Sequence, residues 1–273
     1  MRLDVVNNFL VDPNTQIKLS KWDPDFTGKI YKNYAENLLN NDFMTQMSNL
    51  QYKLFADKNQ ALLVVLQGLD ASGKDSTIRH VMNAFNPQSC KVYSFKKPND
   101  EELSHDYLWR IHKLTPAKGE ITIFNRSHYE DVLTVRVHKL ITEDVLSKRY
   151  NQINEFEKYL FENNIRIAKL FLHISKDEQK KRLEKRINDP LKQWKFSESD
   201  IIERRLWDKY TIAYEEMLNK CSTKHAPWYI IPVNHKWFRN FIVTQIIINT
   251  LDSMKLEFPK TKIDLSKIFM YDL

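Results

Sequence analysis

The stretch ALLVVLQGLDASGK, residues 61–74, decides the fold of this chain. Residues 61–66 are apolar, residue 67 is polar and a glycine follows, a pattern that is typical of a buried parallel strand. The spacing G-x-x-x-x-G-K then runs from Gly68 to Lys74. Between a strand and a helix, this spacing predicts a loop that binds phosphate through its backbone N–H groups, the helix N-terminus and the lysine.

We call residues 68–74 the P-loop, and two positions depart from the usual form of such a loop. Asp70 places a carboxylate inside it, where the charge repels phosphate unless a cation lies between them. Asp75 replaces the usual Ser or Thr after the lysine, and Ser76 follows. Both departures predict that Asp70 holds Mg²⁺ in place of a loop hydroxyl. The residues expected to contact phosphate here are Gly68, Ala71, Ser72, Gly73, Lys74, Asp75 and Ser76.

Strands and helices alternate along the rest of the chain. Four more short apolar runs are predicted as strands, at residues 91–95, 120–124, 166–174 and 228–233. A long helix that begins near Ser197 is predicted to have the buried stripe Ile202, Leu206, Tyr210, Ala213 and Met217. Strands separated by helices indicate an α/β fold, with a five-stranded parallel sheet flanked by helices.

The part of the chain before the P-loop has two kinds of pattern. Residues 1–28 are polar and aperiodic, which predicts an irregular arm. From Lys32 to Leu54 apolar residues recur at intervals of three or four, which predicts an amphipathic helix. We therefore divide the chain into an N-terminal arm and helix, residues 1–57, and a P-loop core, residues 58–273.

Composition restricts the partners and the compartment. The formal net charge of +7 favours an anionic partner, such as nucleic acid, an anionic membrane or a phosphate polymer. Cys90 and Cys221 lie far apart and form no C-x-x-C pair, so we expect a reducing, cytoplasmic compartment. The N-terminus lacks a continuous apolar stretch, and no apolar run is long enough for a bilayer, so we expect neither a signal peptide nor a membrane span.

Several blocks of less common residues resemble the family 2 polyphosphate kinases. The P-loop is similar to that family's G-x-D-A-x-G-K form, and residues 105–110 (HDYLWR) resemble its H-D-[FY]-L-W-R stretch. Residues 124–130 (FNRSHYE) resemble its Walker B region, and residues 190–195 (PLKQWK) follow in the same order. The resemblance covers residues 50 to 239 approximately, and it is far more specific than the P-loop alone.

This resemblance implies a thymidylate-kinase-like P-loop fold and an Mg²⁺-dependent enzyme. The implied reaction moves a phosphoryl group between inorganic polyphosphate and adenine or guanine nucleotides. Because phosphoryl transfer depends on positioning and charge neutralisation, the expected catalytic residues are Asp70, Lys74, Asn125 and Arg126. Asn125 stands where members that act mainly on diphosphates tend to have Asp, so the resemblance implies activity on nucleoside mono- and diphosphates. Lys74 is expected at the mouth of a cleft.

The resemblance also implies a mobile, helical, basic lid at residues 176–210. Seven Lys or Arg residues lie between positions 180 and 195, against two acidic residues. A closing lid excludes water and so favours transfer over hydrolysis. The basic residues expected to bind nucleotide or polyphosphate are Arg136, Arg182, Arg186, Lys192 and Lys195. Members of the family are often oligomeric, so a homo-oligomer is compatible with the sequence, whereas nucleic acid and membranes are not expected as partners.

Alternatives stay open for the function and for single residues. The chain could be an ATP-dependent P-loop kinase of a small molecule or nucleotide, or a non-catalytic binder of a phosphopolymer or nucleic acid. The glycines could form only a turn between strand and helix. Glu130 could complete a capping box with Ser127, Arg136 could form a structural ion pair, and the basic lid could be a solvated helix.

Overall fold

A five-stranded parallel sheet forms the centre of the protein. The computed structural model describes residues 5–13 and 15–263. The strand order is β2–β3–β1–β4–β5, and the strands are β1 (Ala61–Gln67), β2 (Cys90–Ser94), β3 (Ile121–Asn125), β4 (Ile165–His173) and β5 (Trp228–Pro232). The predicted α/β fold is confirmed, and each predicted strand end lies within one residue of the observed one.

Helices connect the strands and cover both faces of the sheet. In the described part of the chain they are α1 (Lys32–Leu38), α2 (Met44–Asp57), α3 (Lys74–Met82), α4 (Asp100–Ser104), α5 (Trp109–His112), α6 (Glu130–Val137), α7 (Glu143–Glu162), α8 (Lys176–Asn188), α9 (Glu198–Arg205), α10 (Trp207–Cys221) and α11 (Lys236–Ser253). A π-helical segment, Leu39–Phe43, joins α1 to α2. The helix predicted from Lys32 is therefore continuous up to Asp57.

The central strand β1 explains the apolar run of the sequence. All of its residues are buried. Alternate side chains contribute to two different hydrophobic clusters, with Leu62 and Val64 in one and Leu63 and Val65 in the other. Helices α2, α3 and α11 contribute to the first cluster, whereas α6, α7 and α10 contribute to the second. A strand that is covered on both faces reads as a continuous apolar run.

The N-terminal arm packs along the β5 edge of the sheet. Leu10 forms an antiparallel bridge with Tyr229, and the Val11 N–H donates to the Trp228 carbonyl at 2.8 Å. Val6 and Phe9 belong to the same hydrophobic cluster as the central strand. The division into residues 1–57 and 58–273 stays a prediction.

The single long helix predicted from Ser197 is wrong. The chain leaves helical geometry at Leu206, so that α9 and α10 are separate helices. Ile202 of α9 is 55% exposed, whereas Ala213 and Met217 of α10 are fully buried. Helix α10 packs against α6 and α7. Helix α9 lies within residues 176–210, the segment predicted as a lid.

Candidate active site

The P-loop connects β1 to α3 with a backbone that needs glycine at Gly73. Gly73 has φ +105°, in the left-handed region that favours glycine. A Cβ at this position would overlap the guanidinium of Arg239 on α11. The loop is thus closely packed against α11. Ser76 Oγ also donates to the Gly73 carbonyl at 2.9 Å.

Lys74 is more buried than the sequence led us to expect. Only 9% of the residue is exposed, and its Nζ donates to the carbonyls of Gly68 at 2.7 Å and Leu69 at 3.3 Å. Burial lowers the pKa of Lys74 from its ordinary value, and Asp70 opposes this effect. The expectation that Lys74 lies at the mouth of a cleft is therefore wrong. Its ammonium is held inside the P-loop, at the N-terminus of α3.

Arg126 brings the end of β3 into contact with the P-loop. Its Nη2 donates to Asp70 Oδ1 at 2.8 Å, and its Nη1 lies 3.9 Å from Glu130 Oε2. Burial opposes the charge of the guanidinium, but Glu130 and Asp70 together raise the pKa of Arg126. Arg126 also has φ +62°, an uncommon conformation for a residue with a side chain. Two of the predicted catalytic residues are thus joined directly.

Glu130 faces this ion pair and does not cap a helix. Ser127 Oγ accepts from the Tyr129 N–H at 3.2 Å, and α6 begins at Glu130 without a side-chain cap. The Glu130 carboxylate accepts from Thr134 Oγ1 at 2.6 Å. With its amide oriented to satisfy both neighbours, Gln67 also donates to Glu130 at 3.1 Å. The predicted capping box is wrong, and Glu130 is a site residue that the sequence reasoning missed.

Asn125 lies beside the first turn of α3. Its Nδ2 donates to Asp75 Oδ1 at 2.9 Å. Asn125 is paired with Leu66 in the sheet, so both strands end at the same edge. In an open parallel sheet this is the edge where ligands bind. The structure thus brings Asn125 and Asp75 together at the start of α3.

Helix α9 and the start of α10 line a pocket together with Asp70, Arg126 and Glu130. The pocket has a volume of about 190 Å³. Its remaining walls are Gly68, Leu69, Thr134, Gln179, Ser199, Asp200, Glu203, Arg204, Trp207, Tyr210 and Tyr214. Helix α9 therefore contributes Asp200 and Glu203 as well as Arg204 to this pocket.

The basic residues of the predicted lid do not line this pocket. Arg182 donates to the carbonyls of Ala71 and Ser72, each at 3.1 Å, and so supports the backbone of the P-loop. Arg186 pairs with Asp200 at 3.4 Å, and Lys192 pairs with Asp189. These contacts occupy the cations with protein partners, and their role in binding phosphate stays a prediction.

Two further residues from the predicted set also have protein partners. Arg136 forms an ion pair with Glu216 and donates to Tyr150 Oη at 3.3 Å, which favours the structural alternative for Arg136. Lys195 lies 5.0 Å from the centre of the Trp194 ring. Trp194 itself is 78% exposed, in the short 3-10 turn between α8 and α9.

The comparisons with known proteins agree with this geometry. A family model described as Polyphosphate kinase 2 matches residues 31–259. The chain belongs to the polyphosphate kinase 2 family. The AMP/ADP-polyphosphate phosphotransferase of Meiothermus ruber is 45% identical over 268 residues, which cover 96% of this chain and 99% of the relative.

Other members of the polyphosphate kinase 2 family are also similar over nearly the whole chain. The ADP-polyphosphate phosphotransferase of Rhodopseudomonas palustris is 42% identical, over 93% of this chain and 92% of the relative. The crystal structure of polyphosphate kinase 2 from Arthrobacter aurescens superposes with a TM-score of 0.92 at 41% identity, and covers 95% of this chain and 93% of that chain.

The protein is an enzyme that transfers phosphoryl groups between polyphosphate and nucleotides. The non-catalytic binder is thereby excluded, and polyphosphate takes precedence over the ATP-dependent alternative. None of the helices within residues 5–13 and 15–263 has the length and apolarity to cross a membrane.

Proposed function

We propose that this enzyme transfers phosphoryl groups between inorganic polyphosphate and AMP or ADP, and the corresponding guanine nucleotides, with Mg²⁺. The observation that carries the proposal is the contact of Arg126 with Asp70 at 2.8 Å, with Glu130 on the other side of the guanidinium. Phosphoryl transfer requires cations and carboxylate-bound metal around one group of anionic oxygens. The names of the relatives from Meiothermus ruber and Rhodopseudomonas palustris support AMP and ADP as acceptors.

The carboxylates of the pocket fit a magnesium site that substrate completes. No three His, Cys, Asp or Glu side chains converge as a metal cluster within the described residues. Mg²⁺ does not need such a cluster, because it is usually bound by one or two carboxylates together with phosphate oxygens and water. Asp70 would hold the ion, and Glu130 lines the same pocket. When bound, the ion would neutralise charge on the phosphates.

Lys74 and Arg126 have complementary roles in this proposal. Lys74 holds its ammonium at the N-terminus of α3, where the helix also favours anions. There it donates to phosphate oxygens of the donor and the acceptor. Arg126 clamps the transferring phosphoryl group, since its side chain is 41% exposed beside the pocket despite two carboxylate neighbours. The other residues of the P-loop, together with Asp75 and Ser76 of α3, provide backbone N–H donors and shape.

The lid prevents loss of the phosphoryl group to water. Helix α9 covers the pocket, and Glu203 is held there by His138 at 3.1 Å and by Tyr210 Oη at 2.7 Å. A covered site favours transfer to a nucleotide over hydrolysis. The basic residues Arg186, Lys192 and Lys195 of the lid guide polyphosphate in this proposal, and the lid opens to admit it.

We further propose a cytoplasmic location. Cys90 and Cys221 are both free and buried, and burial raises the pKa of each thiol to about 12, so neither is poised for oxidation. A homo-oligomer is compatible with the family, and its size is measurable by light scattering.

The decisive experiment supplies polyphosphate as the only phosphoryl donor. Purified enzyme with Mg²⁺, polyphosphate and AMP is expected to form ADP and then ATP. With ADP in place of AMP, the same mixture is expected to form ATP. A parallel reaction replaces polyphosphate with a non-hydrolysable analogue as control. Phosphorylation of AMP by ATP but not by polyphosphate would instead assign the ATP-dependent kinase.

A further inference from the structure

Close to Arg126 in the turn after β3, two buried residues join two others in one hydrogen-bonded group. We call His128, Tyr129, Glu157 and Lys169 the buried tetrad. Lys169 Nζ donates to Glu157 Oε2 at 2.6 Å and to Tyr129 Oη at 2.8 Å. Tyr129 Oη donates to Glu157 Oε1 at 2.8 Å, and His128 Nε2 lies 3.2 Å from the same oxygen. All four residues have no exposed surface.

The tetrad connects three separate elements. His128 and Tyr129 follow Arg126 in the turn after β3, Glu157 belongs to α7 and Lys169 belongs to β4. Lys169 uses its third N–H to donate to the Cys221 carbonyl at the end of α10, at 2.6 Å. The turn that carries Arg126 is thus hydrogen-bonded to α7 and β4 through its last residues, His128 and Tyr129.

Stability alone does not account for this arrangement. Taking a carboxylate and an ammonium out of water costs several kcal/mol for each ion, and apolar replacements of such pairs are often equally or more stable. Although burial opposes its ionisation, the Lys169 ammonium holds the pKa of Glu157 below its ordinary value. Glu157 is therefore a buried charge beside Lys169, and a buried charge is stable only when its partners are held in good geometry.

The backbone of Arg126 is the feature that needs such fixing. Its φ of +62° is unfavourable for an arginine, and such residues persist only where the surroundings impose the conformation. On the N-terminal side the sheet imposes it, since the Arg126 N–H donates to the Leu66 carbonyl at 3.0 Å. On the C-terminal side the next anchors are Ser127, which contacts Gln67, and the tetrad.

We propose that the buried tetrad positions Arg126, and that it thereby sets the rate of phosphoryl transfer without touching substrate. None of its four residues is among the side chains that line the pocket in the described structure. The inference rests on the catalytic role proposed for Arg126. It adds two positioning elements, α7 and β4, that contribute no residue to the predicted site.

The variant Tyr129→Phe tests this with the smallest change. It removes only the hydroxyl, so Lys169 keeps Glu157 and the Cys221 carbonyl, and Glu157 keeps Lys169 and His128. We expect kcat to fall roughly 10- to 100-fold, because small displacements of a clamping group have effects of this size. KM for polyphosphate should stay within about twofold of wild type, because the ground-state binding groups are unchanged.

A matched control separates positioning from stability. Gln51 of α2 is also buried, and its Nε2 donates to Ser89 Oγ at 2.6 Å. Ser89 precedes the start of β2, whereas Arg126 follows the end of the neighbouring strand β3, so the two lie at opposite edges of the sheet. Gln51→Leu should lower the melting temperature and leave kcat unchanged, with all rates measured well below the melting temperature of each variant. Wild-type kcat in folded Tyr129→Phe would overturn the proposal.

A double-mutant cycle tests whether the tetrad acts through Arg126. In an Arg126→Lys background, Tyr129→Phe should change kcat by less than about twofold, since the group it positions is already altered. An equal loss in both backgrounds would show that the tetrad does not act through Arg126, and the proposal would fail. If Arg126→Lys itself retains wild-type transfer, the catalytic role of Arg126 fails, whatever Tyr129→Phe does.

Discussion

Arg126 Nη2 lies 2.8 Å from Asp70 Oδ1, and this ion pair joins two motifs that are 56 residues apart in sequence. Sheet topology makes the contact possible. Strands β1 and β3 are parallel neighbours, and Leu66 is paired with Asn125. The residues that follow each strand therefore emerge at the same edge. The contact places a full positive charge against the unusual carboxylate of the P-loop.

Removal of the Lys74 ammonium should abolish phosphoryl transfer and preserve the fold. We expect Lys74→Ala to lower kcat by at least 10²–10³-fold, roughly the effect of losing one preorganised donor in a transition state. The carbonyls of Gly68 and Leu69 lose their donor, which costs about 1 kcal/mol of unfolding free energy. Steady-state kinetics and circular dichroism measure both effects, with the surface variant Lys148→Ala as control. Near-normal turnover in folded Lys74→Ala would contradict the P-loop assignment.

Neutralising Asp70 should weaken the response to Mg²⁺. An amide is a poorer ligand than a carboxylate for a hard cation, so Asp70→Asn should raise the Mg²⁺ concentration for half-maximal rate by about 10-fold or more. Stability should change little, because both partners of the Arg126 ion pair are partly exposed. The measurement is a Mg²⁺ titration beside the exposed control Asp144→Asn. An unchanged titration would mean that the metal is held by other groups.

Glu130→Gln distinguishes a site residue from a helix cap. The amide can keep the contact with Thr134 but removes the charge near Arg126. We expect kcat to fall about 10-fold, because the carboxylate no longer orients the guanidinium or supports the metal. The melting temperature should stay nearly constant, since no N-cap bond is lost. A lowered melting temperature with normal kcat would restore the capping interpretation.

The sequence predicted the fold and the placement of residues at the strand ends because those features are local. A buried strand followed by G-x-x-x-x-G-K depends on adjacent residues, and Asn125 and Arg126 could be placed at a strand end by the apolar run before them. Glu130 was missed because its spacing from Ser127 imitates a capping box. Only tertiary contacts show that Ser127 is turned toward Gln67.

The basic segment at residues 180–195 shows what charge patterns in a sequence cannot predict. Seven cations between positions 180 and 195 predict a phosphate-binding surface. The acidic partner of Arg186 comes from α9, and the partners of Arg182 include carbonyls of the P-loop, which is more than 100 residues away in sequence. Composition counts charges along the chain and contains no information about which charges meet after folding.

His80 should make the protein less stable in mild acid. Burial, with Arg239 nearby, lowers the pKa of His80 from 6.5 to about 4. Between these values the unfolded chain binds more protons than the folded one, so the free energy of unfolding falls as pH decreases through this range. In His80→Gln, which can keep the contact with Thr244, we expect the loss between pH 7 and pH 4.5 to be smaller by roughly 1–2 kcal/mol, after allowance for partial solvation.

Urea unfolding at the two pH values measures this difference. Carboxylates also titrate in this range. The relevant quantity is therefore the change in unfolding free energy between the two pH values in wild type, minus the same change in His80→Gln. Identical pH dependence in both proteins would show that His80 does not contribute.

Asn125→Asp should shift acceptor preference from AMP toward ADP. Asn125 Nδ2 donates to Asp75 Oδ1 at 2.9 Å, so the substitution replaces a hydrogen bond with two facing carboxylates beside the P-loop. Repulsion between like charges at this distance favours a cation between them. ADP has an additional phosphate that can share such a cation, whereas AMP offers fewer oxygens. We expect the ratio of kcat/KM for ADP to that for AMP to rise about 10-fold. Asp75→Asn combined with Asn125→Asp removes the facing charges and should restore part of the original ratio. An unchanged ratio in active Asn125→Asp would mean that other residues select the acceptor.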